Sequence, residues 1–127
     1  MSLVMKDING MKMKKENNNV PMIKDICEYL SCNMDKRITI DELAVMFHIS
    51  ATQLKVIFKE VSGISVYAYQ RQQKMRAAAD DLCRTDDTVL QIAGRYGYEN
   101  GSKFAKAFRE TMGMSPSRYR KMSRGTA

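Results

Sequence analysis

The chain has 127 residues, of which 44% are hydrophobic, and a formal net charge of +7 at pH 7. That length suffices for one domain, or for two very small ones, and excludes a large enzyme. Because the sequence has neither a transmembrane run nor the apolar core of a signal peptide, we predict a soluble protein of the cytoplasm.

The cysteines and the single histidine do not form a metal-binding pattern. Cys27, Cys32 and Cys83 form no C-x-x-C pair, and His48 is the only imidazole. We therefore predict no metal site and no cofactor. The three thiols are expected to be reduced and to lie in or near the core.

Catalytic motifs are also missing from the sequence. His48 has no serine or cysteine nucleophile in a suitable motif, and there is no glycine-rich phosphate loop. The acidic pair Asp80 and Asp81 is predicted to be the solvated end of a helix. We expect no catalytic residue, and the chain is not predicted to be an enzyme.

Positive charge is concentrated near the C-terminal end. Residues 20–99 contain ten Lys or Arg against eleven Asp or Glu, whereas residues 100–127 contain seven against one. Such a basic block favours a polyanionic ligand. A solvated basic tail would give the same count, so charge alone does not decide between the two.

Along the chain, residues 1–20 are polar and rich in asparagine, and we predict a flexible leader or a linker remnant there. From residue 21 the hydrophobic pattern is helical almost throughout, with no alternating run long enough for a strand. The sequence thus predicts an all-α fold of about seven helices over residues 21–122, followed by a tail at 123–127.

An internal repeat divides this domain. Residues 58–71 match residues 108–121 at an offset of fifty, and the offset falls to forty-nine further upstream. The five identical pairs are Phe58/Phe108, Glu60/Glu110, Gly63/Gly113, Ser65/Ser115 and Tyr69/Tyr119. The repeat predicts a first subdomain at 21–64, a linking helix at 65–83 and a second subdomain at 84–122.

Each copy has the pattern of two helices joined by a sharp turn. Capping boxes, Thr39-x-x-Glu42 and Thr88-x-x-Gln91, predict the start of a short first helix in each copy. The turn follows, and in the second copy Gly97 is predicted to adopt a positive φ. Second helices are predicted over about 51–61 and 101–112, so each copy is a helix-turn-helix unit.

The exposed faces of the second helices carry the candidate DNA contacts, because the major groove admits a helix and offers hydrogen-bond acceptors. A lysine on such a face is commonly only solvated, but polar and basic residues at matching positions in two copies favour DNA. The candidates are Thr52, Gln53, Lys55 and Lys59 in the first copy, and Asn100, Ser102, Lys103 and Lys106 in the second.

The linking helix is predicted from Val66 to about Cys83, with Ser65 as its N-cap and one apolar face. Its roughly 18 residues span about 27 Å at 1.5 Å each, which is near the ~34 Å repeat of B-DNA. Both second helices are therefore expected to reach the same face of one duplex. The candidate phosphate contacts are Ser50, Arg71, Lys74 and Arg109.

Residues 92–120, IAGRYGYENGSKFAKAFRETMGMSPSRYR, resemble the signature of AraC/XylS-type transcriptional regulators, and residues 38–65 resemble that family's first helix-turn-helix. The resemblance covers roughly residues 21–122. It implies two helix-turn-helix subdomains, joined by a long helix, that contact successive major-groove segments of a promoter. It also places Thr52, Gln53, Lys55, Ser102, Lys103 and Lys106 at positions that the family uses to contact bases.

Two residues depart from the family pattern. Val56 occupies a recognition-helix position that is often polar or basic, and Gly101 removes a side chain from the first turn of the other helix. The resemblance further implies a transcriptional regulator that acts on promoter DNA, with RNA polymerase as a second partner. Members of the family often carry an effector or dimerisation domain, and whether the full-length protein has one stays open. The operator, the effector and the choice between activation and repression stay open.

The two second helices differ from each other, and together they can cover two groove segments without a partner chain. We therefore expect this chain to bind DNA as a monomer. We expect no binding to a membrane. The main alternative is a helical-repeat module for protein interaction. The repeat has only two copies, and they differ in charge, which argues against such a module. RNA binding is less favoured because no aromatic stacking platform is apparent.

Overall fold

The computed structural model describes residues 18–125, which form seven α-helices and no strand. The helices are α1 Val20–Cys32, α2 Ile40–Met46, α3 Ala51–Ser62, α4 Val66–Arg84, α5 Val89–Arg95, α6 Gly101–Met112 and α7 Pro116–Ser123. The all-α prediction is confirmed. The leader predicted at 1–20 lies outside the described residues except for its last three, and residues 126–127 of the predicted tail lie outside them as well.

The described chain consists of two compact units. The first contains residues 18–33 and 37–70, and the second contains residues 34–36 and 71–125. Helices α2 and α3 belong to the first unit, and helices α5 and α6 to the second. Helix α4 is shared, with the residues up to Gln70 in the first unit and those from Arg71 in the second.

The first helix of each pair begins where the sequence predicts it. At the start of α5, the Thr88 hydroxyl accepts from the Gln91 amide at 3.0 Å, and the Gln91 side chain accepts from the Thr88 amide at 2.8 Å. At the start of α2, the Thr39 hydroxyl accepts from the Glu42 amide at 3.1 Å. Both hydrogen bonds of the predicted capping box are therefore present at Thr88, whereas at Thr39 the described contacts include the bond to the hydroxyl.

The turn after α5 contains the glycine that the sequence singles out. Gly97 has a φ of +84° and its amide donates to the Gly94 carbonyl at 3.1 Å, while the Tyr98 amide donates to the Ala93 carbonyl at 2.9 Å. These paired bonds form a Schellman motif, in which one residue must be left-handed. The prediction that Gly97 adopts a positive φ is confirmed.

The turn after α2 has the same bonds without a glycine. The His48 amide donates to the Val45 carbonyl at 3.3 Å, and the Ile49 amide donates to the Ala44 carbonyl at 3.1 Å. His48 itself has a φ of +59°. The first copy therefore uses a histidine in the left-handed region, which costs roughly 1 kcal/mol or more relative to a right-handed conformation.

Each unit has its own hydrophobic core, and both cores contain an aromatic pair at matching positions of the repeat. Phe58 and Tyr69 pack edge to face with ring centroids 5.7 Å apart, and Phe108 and Tyr119 do so at 5.5 Å. These four residues are two of the identical pairs of the repeat, so the repeat marks the core of each unit. The predicted apolar face of the linking helix is buried at Tyr69, Met75, Ala78 and Leu82.

Candidate nucleic-acid interface

Helix α3 packs one side against the core of the first unit. Leu54, Phe58 and Val61 are buried on that side. At 3.6 residues per turn, the side opposite to the core contains Thr52, Val56 and Lys59, all exposed. We call these three positions the outer face of α3. Gln53 and Lys55 are also exposed but lie on the two flanks of the helix.

Helix α6 repeats this arrangement in the second unit. Both helices have twelve residues, and Phe104 and Phe108 are buried where Leu54 and Phe58 are buried in α3. The outer face of α6 contains Ser102, Lys106 and Arg109, all exposed, and Lys103 lies on a flank. Each second helix therefore presents an exposed surface away from its core, with a hydroxyl residue in its first turn and a cation further along.

The two outer faces agree at two positions and differ at one. The pairs at the offset of fifty are Thr52/Ser102, Val56/Lys106 and Lys59/Arg109. A hydroxyl and a cation are thus common to both helices, and the central position is valine in one and lysine in the other. On the flanks, Gln53 is paired with Lys103, and Lys55 with Ala105.

Three of the residues predicted to contact DNA are helix caps. The Ser50 hydroxyl accepts from the Gln53 amide, and the Gln53 side-chain oxygen accepts from the Ser50 amide, both at 3.1 Å. The Asn100 side-chain oxygen accepts from the amides of Ser102 and Lys103 at 2.7 and 3.2 Å. These side chains position the first turn of α3 and of α6, and any DNA contact they make comes in addition to that role.

Gly101 lies on the inner side of α6. It is the counterpart of Ala51, whose side chain packs against the core of the first unit. A Cβ atom added at Gly101 would lie 3.6 Å from Leu90 Cδ1, which is an ordinary van der Waals contact. The glycine therefore takes no side chain away from the outer face.

The predicted phosphate contacts on α4 already have partners within the second unit. Arg71 Nη1 lies 3.2 Å from Glu110 Oε1, and Lys74 Nζ donates to the Lys36 carbonyl at 3.1 Å. Arg109, by contrast, lies on the outer face of α6. An exposed ion pair contributes little stability, so Arg71 can exchange its carboxylate partner for a phosphate at a small cost.

The basic residues of α7 divide into two sets. Arg120 donates to backbone carbonyls at the end of α4 and in the loop after it, at 3.1 and 3.2 Å. Arg124 lies 3.1 Å from Asp86. Arg118 and Lys121 are exposed. Arg120 and Arg124 therefore connect the C-terminal end of the described chain to the end of α4 and the loop after it, which the charge count does not reveal.

Asp81 belongs to a polar cluster beside α5. Its Oδ2 accepts from the Tyr96 hydroxyl at 2.6 Å and from Arg95 at 2.9 Å, while Arg95 also donates to Asp87 at 2.6 Å. The hydrogen bond from Arg95 lowers the pKa of Asp87. Burial, together with the bond to Asp81, raises the pKa of the Tyr96 phenol.

The prediction that Asp80 and Asp81 form a solvated helix end is therefore wrong for Asp81. A buried tyrosine hydroxyl requires a hydrogen-bond partner, and folding supplies Asp81 from fifteen residues away. Asp80 is exposed and pairs with Arg84 at 2.9 Å.

The prediction of core thiols is correct for one cysteine of three. Cys27 is buried, whereas Cys32 and Cys83 are exposed. Cys32 is the last residue of α1 and Cys83 is next to last in α4, where the helices leave their apolar neighbours. Within residues 18–125, no group of three or more His, Cys, Asp or Glu is arranged to hold a metal ion, and no helix is long and apolar enough to cross a bilayer.

Comparisons with known proteins agree with this geometry. A family model described as "Helix-turn-helix domain" matches residues 43–122. YdiP of Escherichia coli, an HTH-type transcriptional regulator, is 37% identical over 100 residues. That match covers 79% of this chain and 33% of YdiP, so the chain spans about a third of that relative.

Solved structures with the same fold include DNA-binding domains. The C-terminal domain of AraT, a response regulator from Geobacillus stearothermophilus, superposes with a TM-score of 0.77 at 28% identity, covering 80% of this chain and 85% of that domain. The DNA-binding domain of the transcriptional factor AdpA, solved in complex with a target DNA, also gives a TM-score of 0.77, at 21% identity. That match covers 81% of this chain and 93% of AdpA's domain, and it shows the fold alone.

Proposed function

The chain belongs to the AraC/XylS family of helix-turn-helix transcriptional regulators, and on this premise we propose that it binds a specific double-stranded DNA site through α3 and α6. Each helix would enter a major groove with its outer face towards the base edges. The two helices would read successive groove segments, since the chain carries one reader in each unit.

The observation that carries this proposal is that α3 and α6, which we call the two readers, have the same local structure. Each follows a Schellman turn, begins at a side-chain cap, buries apolar residues on one side and presents a hydroxyl and a cation on the other. A hairpin stabilised only for its own packing does not require the same outward chemistry twice. The AdpA domain, which has the same fold, was solved with DNA.

The contacts divide into two proposed roles. Residues of the outer faces and flanks read bases, namely Thr52, Lys55, Ser102, Lys103 and Lys106, with Gln53 and Asn100 adding contacts to their capping role. Ser50, Arg71, Lys74 and Arg109 contact phosphates, which fix the register of the protein on the duplex. Lys59 contacts the DNA one turn beyond Val56.

The remaining parts of the proposal follow from the family. We propose activation of transcription with RNA polymerase as a second partner, in the cytoplasm, without enzymatic activity and without a membrane. The chain would bind DNA as a monomer, and the full-length protein would carry an effector or dimerisation domain. The domain boundaries proposed are 21–64, 65–83 and 84–122. The comparisons do not support a helical-repeat interaction module.

Selection of sites from a random duplex pool, followed by affinity measurements from about 50 to 200 mM salt, tests this proposal. We expect one enriched sequence, with log K falling by about 0.9 per neutralised phosphate for each unit of log salt. A salt slope near zero, or a pool that shows no enrichment, would contradict DNA binding. Salt-insensitive capture of a protein would favour the interaction module.

A further inference from the structure

Val56 is an apolar residue at the centre of the outer face of α3. Its exposed fraction is 54%, and its exposed neighbours on that side of the helix are Thr52 one turn before it and Lys59 and Glu60 one turn after it. The core lies on the opposite side of the helix, where Leu54 and Phe58 are fully buried. Val56 therefore lies outside the core of the first unit.

Valine is also a poor choice for that position on grounds of local stability. A β-branched side chain has a lower helix propensity than lysine, glutamine or alanine, and it leaves apolar surface in water. The counterpart in the second reader is Lys106, which shows that the fold accepts a solvated side chain there. The apolar side chain of Val56 is therefore available for contact with a ligand at the centre of the outer face.

We propose that Val56 reads the methyl group of a thymine in the DNA segment bound by α3, an assignment that rests on the proposed function. The 5-methyl group of thymine is the apolar feature that base pairs present in the major groove. Valine offers neither donor nor acceptor, so it has no means of selecting guanine, adenine or cytosine by hydrogen bonding. Its single preferred rotamer in a helix holds two methyl groups in a fixed direction.

The two readers then differ in the base that their central position selects. Lys106 carries an ammonium group, which donates to the acceptors of guanine. Val56 instead selects thymine. The DNA segment bound by α3 therefore contains a thymine at the position that corresponds to the acceptor contacted by Lys106 in the segment bound by α6. The unlike central residues make the whole site asymmetric.

The test replaces each thymine of the selected site, one at a time, with deoxyuridine, which lacks the methyl group and keeps the hydrogen-bonding edge. Using the full chain, we expect one deoxyuridine in the block bound by α3 to weaken binding about four-fold, the contribution of one buried methyl group. With Val56→Ala, the same replacement should change affinity by less than about two-fold, because the partner of the methyl group is gone.

Two matched variants complete the experiment. Val45→Ala removes an exposed valine of α2, with an exposed fraction of 76%, and should keep the four-fold penalty. Lys106→Ala should keep it as well, although overall affinity falls. Circular dichroism of each variant checks the fold. If the chain binds its site but no thymine is sensitive, or if Val56→Ala keeps the penalty, the assignment is wrong while the proposed function stands. If no duplex is bound, both are wrong.

Discussion

At the scale of single residues, the turn of each helix-turn-helix contains one residue in the left-handed conformation, His48 in the first copy and Gly97 in the second. Gly97 has a φ of +84°, and the nearest atom to an added Cβ would be the Asp35 carbonyl oxygen at 3.7 Å, an ordinary contact. Any cost of a side chain at Gly97 therefore comes from the left-handed backbone and not from crowding.

Two glycine-to-alanine substitutions separate these effects. Gly97→Ala should lower the free energy of unfolding by about 1 to 2 kcal/mol, because alanine is disfavoured at positive φ. Gly94→Ala, within α5 and with nothing within 4 Å of the added Cβ, should raise it by about 0.5 to 1 kcal/mol. Urea unfolding of both variants measures the difference. A Gly97→Ala variant as stable as Gly94→Ala would contradict the account of this turn.

The sequence predicts some residue roles and misses others for physical reasons. Gly97 is predictable because glycine at a helix end is a recognised signal, whereas His48, in the same conformation, gives none. Asp81 is missed because its partner, the Tyr96 hydroxyl, is brought near only by folding. Gln53 is predicted as a base contact, and the structure shows its side-chain oxygen accepting from the Ser50 amide at 3.1 Å in a helix cap.

At the scale of elements, helix limits follow closely from sequence. The second helices, predicted at about 51–61 and 101–112, are Ala51–Ser62 and Gly101–Met112, and the linking helix extends to Arg84. Side-chain caps and left-handed glycines at Gly63 and Gly113 define these ends locally, so no tertiary knowledge is required. The partners of Arg71, Arg120 and Arg124 are long-range, and charge counting does not give them.

The two recognition helices should contribute unequally to affinity. Lys106 lies on the outer face of α6, whereas Lys55 lies on a flank of α3 and has Ala105 as its counterpart. If Lys106 contacts a base, Lys106→Ala should cost on the order of 1 to 3 kcal/mol and relax the preference at one base pair. If it contacts a phosphate, affinity should fall for all sequences and the salt slope should shrink by about 1.

We expect a base contact for at least one of Lys103 and Lys106, and a smaller loss for Lys55→Ala. Binding titrations of the three single variants, on the selected site and on unrelated DNA, distinguish the roles. A Lys55→Ala variant weaker than both of the other two would reverse the ranking and make α3 the dominant reader.

At the scale of the whole molecule, the charge and the readers are both unequal between the two halves of the repeat. Residues 100–127 contain one Glu and seven Lys or Arg, whereas the charges of residues 20–99 nearly cancel. The second unit therefore supplies most of the electrostatic attraction to the phosphate backbone. Because the readers also differ at Val56 and Lys106, we expect the proposed site to lack two-fold symmetry and to bind a single chain.

The central claim is that one chain places two readers in successive major-groove segments of a single site. Insertion of about 5 base pairs between the two DNA segments of the selected site turns them to opposite faces of the duplex. Insertion of about 10 base pairs returns both segments to the same face but leaves them further apart. We predict that the 5-base-pair insertion lowers the affinity of the monomeric chain to that of a single block. Affinity unchanged by this insertion would show that the two readers do not bind together.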